Sequence, residues 1–286
     1  MRKSGKWLTC LLAALMIMCV PGEAMAASGG RAMNPGMVTL QTDRVYDIYD
    51  VTGDGKADEV VVETAHYDSF GIGRQGYLKI LVNGENAFTL EDPYYKGDAT
   101  WRYDIKLCTM NTQEQFLFVR TCSETEYYNF CRLYSFQGGR FRPVLDLKNT
   151  YKNIFHHREK MDLVNVEGNR IQFQWYGQLG AAGALNWIVN YDYINGKFSR
   201  ASRTSPLAES DKERSWTASR NFSAYRTAGL KEKVFQVKEG DSLKITHVYN
   251  NSQYAFIRVV NSDGTAGWVP CPNTHSPYFK EAVYAG

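Results

Sequence analysis

Three short turns set the strongest limit on what this chain can fold into. They occur in "KILVNGENAFTL", "RLYSFQGGRFRPVL" and "NYDYINGKFSRA", where an Asn-Gly or Gly-Gly pair separates two runs rich in Val, Ile, Tyr, Phe and Leu. Such pairs favour hairpin turns because both turn residues need a positive φ. The glycines Gly84, Gly139 and Gly196 are 55 and 57 residues apart. The sequence therefore predicts a repeated antiparallel unit that ends in a hairpin.

Each hairpin has room for two further strands before it. "RVYDIYDV" with "DEVVVETAHY" and "RYDIKLC" with "QFLFVRTC" are strand pairs of this kind. The sequence therefore predicts three copies of a four-stranded antiparallel unit. The distance between the copies is typical of blade-like repeats. A closed propeller usually needs at least about four blades, so the edges would stay open. We predict an all-β, propeller-like or sandwich-like domain over residues 27–206.

The first 26 residues have the pattern of a secretory signal peptide. Arg2, Lys3 and Lys6 precede an apolar run from Trp7 to Val20, and Ala24-Met25-Ala26 supplies the small residues of a cleavage site. The run is shorter than the roughly 20 apolar residues of a membrane span. The expected mature protein is secreted or associated with the cell wall.

The charge balance excludes one class of partner. Removal of residues 1–26 takes away three of the 33 basic residues and one of the 30 acidic residues, which leaves 30 and 29. A chain so close to neutral lacks the basic surface that binds nucleic acid. No later stretch is long and apolar enough to cross a bilayer, so no membrane span is expected after cleavage.

A second unit is expected after a change in composition. Residues 207–215, "LAESDKERS", are polar and lose the strand pattern, which favours a linker, although a short surface helix fits equally. Five short strand-like runs follow in residues 216–286, separated by turns at Glu239-Gly240-Asp241, Asn250-Asn251 and Ser262-Asp263-Gly264.

This second unit resembles the bacterial SH3-like (SH3b) family. The resemblance rests on "AYRTAG", on "VFQVKEGDSLKITHVY" and on the closing "AFIRVVNSDGTAGWVP", and it covers about the last seventy residues. It implies a small SH3-like barrel that binds peptidoglycan or peptides through a shallow aromatic groove. The candidate ligand-binding residues are Tyr225, Tyr249, Tyr254 and Trp268. The alternative for Trp268 is a position in the core or at a strand end.

The stretch "YDVTGDGKADEVVVE" resembles the calcium loops of integrin-like FG-GAP repeats and of dockerins. The pattern is filled by Asp50, Thr52, Asp54, Lys56 and Asp58, with Gly55 at the sharp turn and Lys56 offering only its carbonyl. Ca²⁺ prefers six to eight hard oxygen ligands, which this pattern supplies. Thr52 replaces the usual Asn or Asp, and Val61 replaces the glutamate of an EF-hand. The resemblance implies a structural Ca²⁺ site, and the alternative is a polar hairpin turn.

Other combinations of reactive residues do not form a recognisable site. "GIGRQG" runs into a strand rather than a helix, so it does not fit a dinucleotide fingerprint. His156 and His157 lack further ligands, and Cys271 with His275 lacks a third orienting group. Cys122 and Cys131 could pair across a hairpin, or the remaining cysteines could be buried thiols.

No catalytic residues are predicted, and the sequence favours a non-catalytic binding protein of the bacterial cell envelope. Its expected partners are peptidoglycan, another cell-wall glycan or a surface protein. A secreted hydrolase with an unrecognised active site and a structural spacer or sensor ectodomain are the alternatives, since fold class alone does not decide function.

Overall fold

The structure is a computed structural model that describes most of the chain. The described residues are 33–67, 74–91, 100–123, 128–147, 160–251, 254–272 and 276–284. The predicted signal peptide lies outside them, as do Gly71–Gly73, His156, His157 and His275.

The described residues form an all-β structure with a single helical turn. Every strand pairing among them is antiparallel. The strands before the helical turn are β1 Gly36–Thr39, β2 Val45–Tyr49, β3 Asp58–Tyr67, β4 Arg74–Val82, β5 Glu85–Glu91, β6 Thr100–Thr109, β7 Gln115–Ser123, β8 Tyr128–Gln137, β9 Arg140–Asp146, β10 Lys160–Glu167, β11 Arg170–Leu179, β12 Gly183–Ile194, β13 Lys197–Arg200 and β14 Thr204–Pro206. The helical turn α1 Glu209–Lys212 is followed by β15 Ser215–Thr217, β16 Phe222–Tyr225, β17 Lys233–Val237, β18 Ser242–Asn250, β19 Ala255–Val260 and β20 Ala266–Cys271. No helix in this part of the chain has the length and apolar character needed to cross a membrane.

Three of the four sheets have the four-stranded antiparallel order that the repeat spacing predicts. Strands β2 to β5 form one sheet, β6 to β9 a second with β1 added at its edge, and β10 to β13 a third. In each sheet the strands lie side by side in chain order. The prediction of an all-β chain built from several antiparallel sheets is confirmed.

The turns that predict the repeat connect the last two strands of each sheet. Asn83–Gly84 has φ values of 54° and 79°, Gly138–Gly139 of 57° and 80°, and Asn195–Gly196 of 52° and 76°. Two successive residues with positive φ give a tight turn whose twist matches that of the strands. This is the reason that these positions hold Asn and Gly.

The fourth sheet contains the strands that follow β13. Its hydrogen-bonded order is β14-β18-β19-β20-β16-β17, and β15 also pairs with β18. None of the sheets formed by the described residues closes into a barrel, so the expected small barrel is an open sheet here. Val248, Ile257 and Val269 are cross-strand partners on β18, β19 and β20, and they are fully buried on one face. The residues directly before and after each of these three in the sequence point to the opposite face.

Two apolar cores hold the sheets together. The smaller core joins the first and second sheets and includes Val60, Ile80 and Leu117. The larger core joins the second, third and fourth sheets, and it contains Trp187 and Trp216. The third and fourth sheets therefore bury their apolar faces in one continuous core.

The segment predicted as a linker or a short surface helix contains α1 and contacts the third sheet. Leu207 is fully buried and forms an isolated β-bridge with Trp187. Asp211 is also buried, and its Oδ2 accepts hydrogen bonds from the backbone N–H and the side-chain amide of Asn186 at 2.7 and 2.9 Å. The helical alternative is the one that forms, and it packs closely against β12.

Residues 276–284 contact both the third and the fourth sheets and so connect them. Phe279 is buried, bridges Ala218 and packs against Trp216 with ring centroids 5.6 Å apart. The Ala184 N–H donates to the Val283 carbonyl at 3.0 Å. We call residues 276–284 the C-terminal clasp.

The β11–β12 turn explains the glycine and alanine content of "YGQLGAAGALNW". Gly183 has a φ of 69°, and a Cβ at this position would lie 2.6 Å from the Val283 carbonyl oxygen. Ala181 and Ala182 are fully buried. Only small residues allow the clasp backbone to approach so closely.

The cysteines with described side chains are buried thiols. Cys108, Cys131 and Cys271 take part in no disulfide, so the thiol alternative is the one realised for Cys131. Burial raises the pKa of both Cys108 and Cys271 to about 12. At neutral pH neither of these two is a thiolate, which is the nucleophilic form of cysteine.

Candidate functional site

The calcium-like loop connects β2 to β3 and is organised by the Asp50 carboxylate. Asp50 Oδ1 accepts hydrogen bonds from the N–H groups of Gly53 and Asp54 at 2.7 and 3.1 Å, and Oδ2 accepts one from Gly55 at 2.8 Å. Gly53 and Gly55 have φ values of 78° and 84°. These left-handed residues turn the backbone so that its N–H groups point at one side chain.

Asp58 is the buried member of the loop, with 2% of its surface exposed. Its Oδ2 accepts the Thr52 N–H at 2.9 Å, and its Oδ1 accepts the Thr52 hydroxyl and the Asn83 side-chain amide at 3.3 and 2.7 Å. These donors are all neutral, and no cationic side chain of the described residues pairs with Asp58. Buried carboxylates are usually neutralised by a cation or a metal ion, so this charge is incompletely compensated.

The predicted ligands of the loop come together only in part. Thr52 Oγ1 lies 3.5 Å from Asp50 Oδ1 and 3.3 Å from Asp58 Oδ1, so it connects these two carboxylates. Asp54 instead accepts the Lys56 N–H at 2.8 Å. Within the described ranges, no three His, Cys, Asp or Glu side chains are grouped closely enough to hold an ion.

The donor chemistry of the loop nevertheless fits Ca²⁺. Its side chains offer the hard carboxylate and hydroxyl oxygens that this ion prefers, and the buried Asp58 carboxylate has no cationic partner among the described residues. Binding would require Asp50 and Asp58 to exchange some N–H donors for the ion. The loop can therefore be a metal site or a self-sufficient polar turn, and each alternative makes different predictions about stability.

The second candidate site is the face of the fourth sheet that points away from the core. Cross-strand partners lie on the same face of an antiparallel sheet. Tyr225 is paired with Trp268, Trp268 with Arg258, and Arg258 with His247. One row across four strands thus presents two aromatic rings, a guanidinium and an imidazole.

A second row lies beside the first one. Tyr249 is paired with Phe256, and Phe256 with Pro270. The Tyr249 ring meets the rings of Phe256 and Trp268 edge to face, with centroids 5.8 and 6.2 Å apart. We call Tyr225, Tyr249, Phe256, Arg258 and Trp268 the aromatic face.

The structure brings together three of the four predicted ligand-binding residues. Tyr225, Tyr249 and Trp268 belong to the aromatic face, whereas Tyr254 lies just before β19 and is 60% exposed. Phe256 and Arg258 were missed by the sequence analysis. The i, i+2 spacing of "AFIRVV" carried a signal for both, because alternate residues of a strand share a face.

The burial of the tryptophans separates Trp268 from the core. Trp175, Trp187 and Trp216 are fully buried, whereas Trp268 is half-buried. Tyr225 and Tyr249 are half-buried as well. Part of each ring is therefore available for contact with a ligand.

The positive charge of this row comes from arginine. Burial, and then the positive charge of Arg258, lower the pKa of His247 below its ordinary value of 6.5. His247 is therefore neutral at pH 7, and its Nδ1 lies 3.0 Å from the Thr246 hydroxyl. No described residue forms an ion pair with Arg258. A ligand on this face would meet aromatic rings with one cation among them.

Comparison with known proteins adds no further assignment. The chain matches no family model, no curated protein and no solved structure.

Proposed function

We propose that this is an exported, non-catalytic binding protein of the bacterial cell envelope. The aromatic face of an SH3-like fourth sheet would contact cell-wall glycan or a wall peptide, and the first three sheets would form a propeller-like support that meets a surface protein or glycan. The observation that carries the proposal is the half-buried row of Tyr225, Trp268 and Arg258 on the non-core side of the sheet.

The chemistry of the aromatic face suits sugars and peptides better than a chemical reaction. Aromatic rings offer large, rigid apolar surfaces at a small cost in conformational entropy, and they pack against sugar rings or peptide side chains. The guanidinium of Arg258 can hold a ligand carboxylate through two hydrogen bonds. Peptidoglycan presents both sugar rings and peptide carboxylates, so it is the partner we favour.

Substitution of Trp268 by Ala should weaken retention on purified peptidoglycan by about tenfold or more, as expected when an interface Trp is removed. The measurement is the bound fraction of the mature protein in a sedimentation assay with purified walls over a range of protein concentrations. A thermal melt of the variant establishes that it is folded.

The matched control for this test is Tyr77→Ala, which removes a half-buried ring from β4 in the first sheet. This variant should bind walls as the unsubstituted protein does. Equal retention of the Trp268 and Tyr77 variants would exclude the aromatic face as the contact. Lack of retention of the unsubstituted protein would exclude wall binding altogether.

We also propose that the β2–β3 loop binds Ca²⁺ with a structural role. Asp50, Thr52, Asp54 and Asp58 would hold the ion with the Lys56 carbonyl, and the ion would neutralise the buried Asp58 carboxylate. The first hairpin would then be fixed to β4 through Asn83, whose amide already donates to Asp58 at 2.7 Å. The support for this role is the incomplete compensation of Asp58 by neutral donors.

Addition of Ca²⁺ at a hundredfold excess over Kd should raise the free energy of unfolding by about 2.7 kcal/mol. Calorimetric melts with Ca²⁺ and with a chelator measure the difference. Asp50→Asn should abolish the response. Asp47→Asn, which changes an exposed carboxylate on β2, should leave it intact. A melt that is insensitive to millimolar Ca²⁺ would identify the loop as a polar turn.

A further inference from the structure

A cavity of about 480 Å³ lies where the first three sheets converge. The β2–β3 loop contributes Asp50 and Thr52, the β6–β7 turn contributes Glu114, and the β12–β13 hairpin contributes Tyr193 and Gly196. Ligand pockets of small molecules have volumes of about 300 to 1,000 Å³. The cavity shares no residue with the aromatic face.

The rim of the cavity is acidic. Asp50 and Glu114 are its charged residues, and no Lys, Arg or His is among the described residues that line it. Glu114 is exposed, so its carboxylate can meet a ligand directly. The exposed Glu114 carboxylate, in a cavity whose described lining has no basic side chain, favours a positively charged ligand group over a negatively charged one.

Glu114 is held in a fixed orientation. Its Oε1 accepts the Tyr193 hydroxyl at 2.7 Å, and its Oε2 accepts the Thr112 hydroxyl at 3.0 Å. Burial, and then Glu114, raise the pKa of Tyr193 to about 12, so this hydroxyl remains protonated. Each carboxylate oxygen has a second lone pair available for a ligand.

The remaining wall combines hydrogen-bonding amides with aromatic rings. Gln113, Ser135 and Gln137 provide exposed or half-buried polar groups. Gln115 is 9% exposed, and its Oε1 accepts no hydrogen bond from the part of the chain that the structure describes. Phe136 is half-buried in this wall and packs against Phe141 with ring centroids 5.3 Å apart. A wall with amide and hydroxyl groups around an aromatic side chain is suited to bind a small polyhydroxylated ring.

We propose that this cavity binds a small polyhydroxylated ligand that carries an ammonium group, which is the chemistry of an unacetylated amino sugar. The ammonium lies against Glu114, the hydroxyl groups bond to the amides of the wall, and the apolar face of the ring packs on the half-buried ring of Phe136. An anionic sugar is excluded by the Glu114 carboxylate.

The experiment compares three sugars by ligand-detected NMR titration of the intact mature protein. Glucosamine is the cationic probe, glucose the neutral one and glucuronate the anionic one, at about pH 6, where the amine is protonated. Glucosamine should bind about tenfold more tightly than glucose, the effect of one charge-assisted hydrogen bond. Glucuronate should not bind.

Glu114→Gln tests the role of the carboxylate, because the amide keeps a similar shape without the charge. This variant should bind glucosamine and glucose equally. Glu239→Gln, which changes an exposed turn of the fourth sheet, should keep the tenfold preference.

Three results would overturn the proposal: no saturable binding of glucosamine, equal affinity for glucosamine and glucose in the unsubstituted protein, or an unchanged preference in a folded Glu114→Gln variant. The ratio of the affinities for glucosamine and glucose in the unsubstituted protein tests the proposal even where the Glu114→Gln variant does not fold. Loss of wall retention leaves this ratio unaffected, so failure of one proposal is distinguishable from failure of the other.

Discussion

Substitution of Arg120 by Ala should lower the free energy of unfolding by about 3 to 5 kcal/mol, the usual effect of removing one partner from a buried ion pair. Arg120 is 4% exposed and projects from β7. Its Nη2 donates to Asp104, and its Nη1 donates to the Met161 carbonyl at 2.7 Å and lies 3.7 Å from Asp162. The substitution removes the guanidinium beside Asp104 and cuts a connection between the second and third sheets, whereas Asp162 keeps its ion pair with Lys106 at 2.7 Å.

Chemical denaturation followed by tryptophan fluorescence gives the free energy directly. The matched control is Arg132→Ala, which breaks the pair between Arg132 Nε and Asp146 Oδ2 at 2.8 Å in the same sheet. The side chains of this control pair are 38% and 26% exposed, so its loss should cost about 1 kcal/mol or less. Equal effects of the two substitutions would show that burial does not set the strength of the Arg120 connection.

Substitution of Trp187 by Ala should destabilise the protein by about 3 to 5 kcal/mol, because it removes a fully buried indole and leaves a cavity. Trp187 is stacked on Trp175, with centroids 6.1 Å apart and ring planes 5° from parallel. It also lies at the bridge to Leu207, where the third sheet meets the segment before α1. The loss should therefore weaken the third and fourth sheets together.

A calorimetric melt distinguishes this effect from a local one. Trp187→Ala should lower the melting temperature of a transition that includes the fourth sheet. Trp268→Ala, which removes a half-buried indole, should change stability far less and binding far more. A Trp187 variant whose fourth sheet unfolds at an unchanged temperature would show that the shared core does not couple the two sheets.

The repeated sheets could be predicted because their signals are local. A positive φ is readily adopted by the residues of the three hairpin turns, which are Asn83–Gly84, Gly138–Gly139 and Asn195–Gly196. The alternation of apolar and polar residues in the flanking strands determines which face of each sheet is buried. The four consecutive strands of each of the first three sheets followed from these turns and from the spacing between them, whereas the pairing of β1 with the edge of the second sheet did not.

The connection between the third and fourth sheets could not be predicted in the same way. The polar composition of residues 207–215 conceals the burial of Leu207 and Asp211, which depends on the shape of β12. The contact of Phe279 with Trp216 joins residues far apart in the chain. Such contacts are set by tertiary packing, which no local pattern records.

The aromatic face was largely predicted from the sequence, whereas the cavity was not. Tyr225, Tyr249 and Trp268 were found through a family resemblance, and the register of β16, β18, β19 and β20 then put them on one face. The cavity was not foreseen, because Asp50, Glu114 and Tyr193 come from three different sheets. Each is an ordinary polar residue in its own stretch of sequence.

The C-terminal clasp also determines when the packing of the third and fourth sheets can be completed. The clasp emerges from the ribosome after every strand of the third and fourth sheets. Until then Trp216 lacks the ring of Phe279, and the small residues of the β11–β12 turn, among them Gly183, lack the backbone that covers them. The third and fourth sheets therefore reach their final packing only after residues 276–284 have been synthesised and have packed against them.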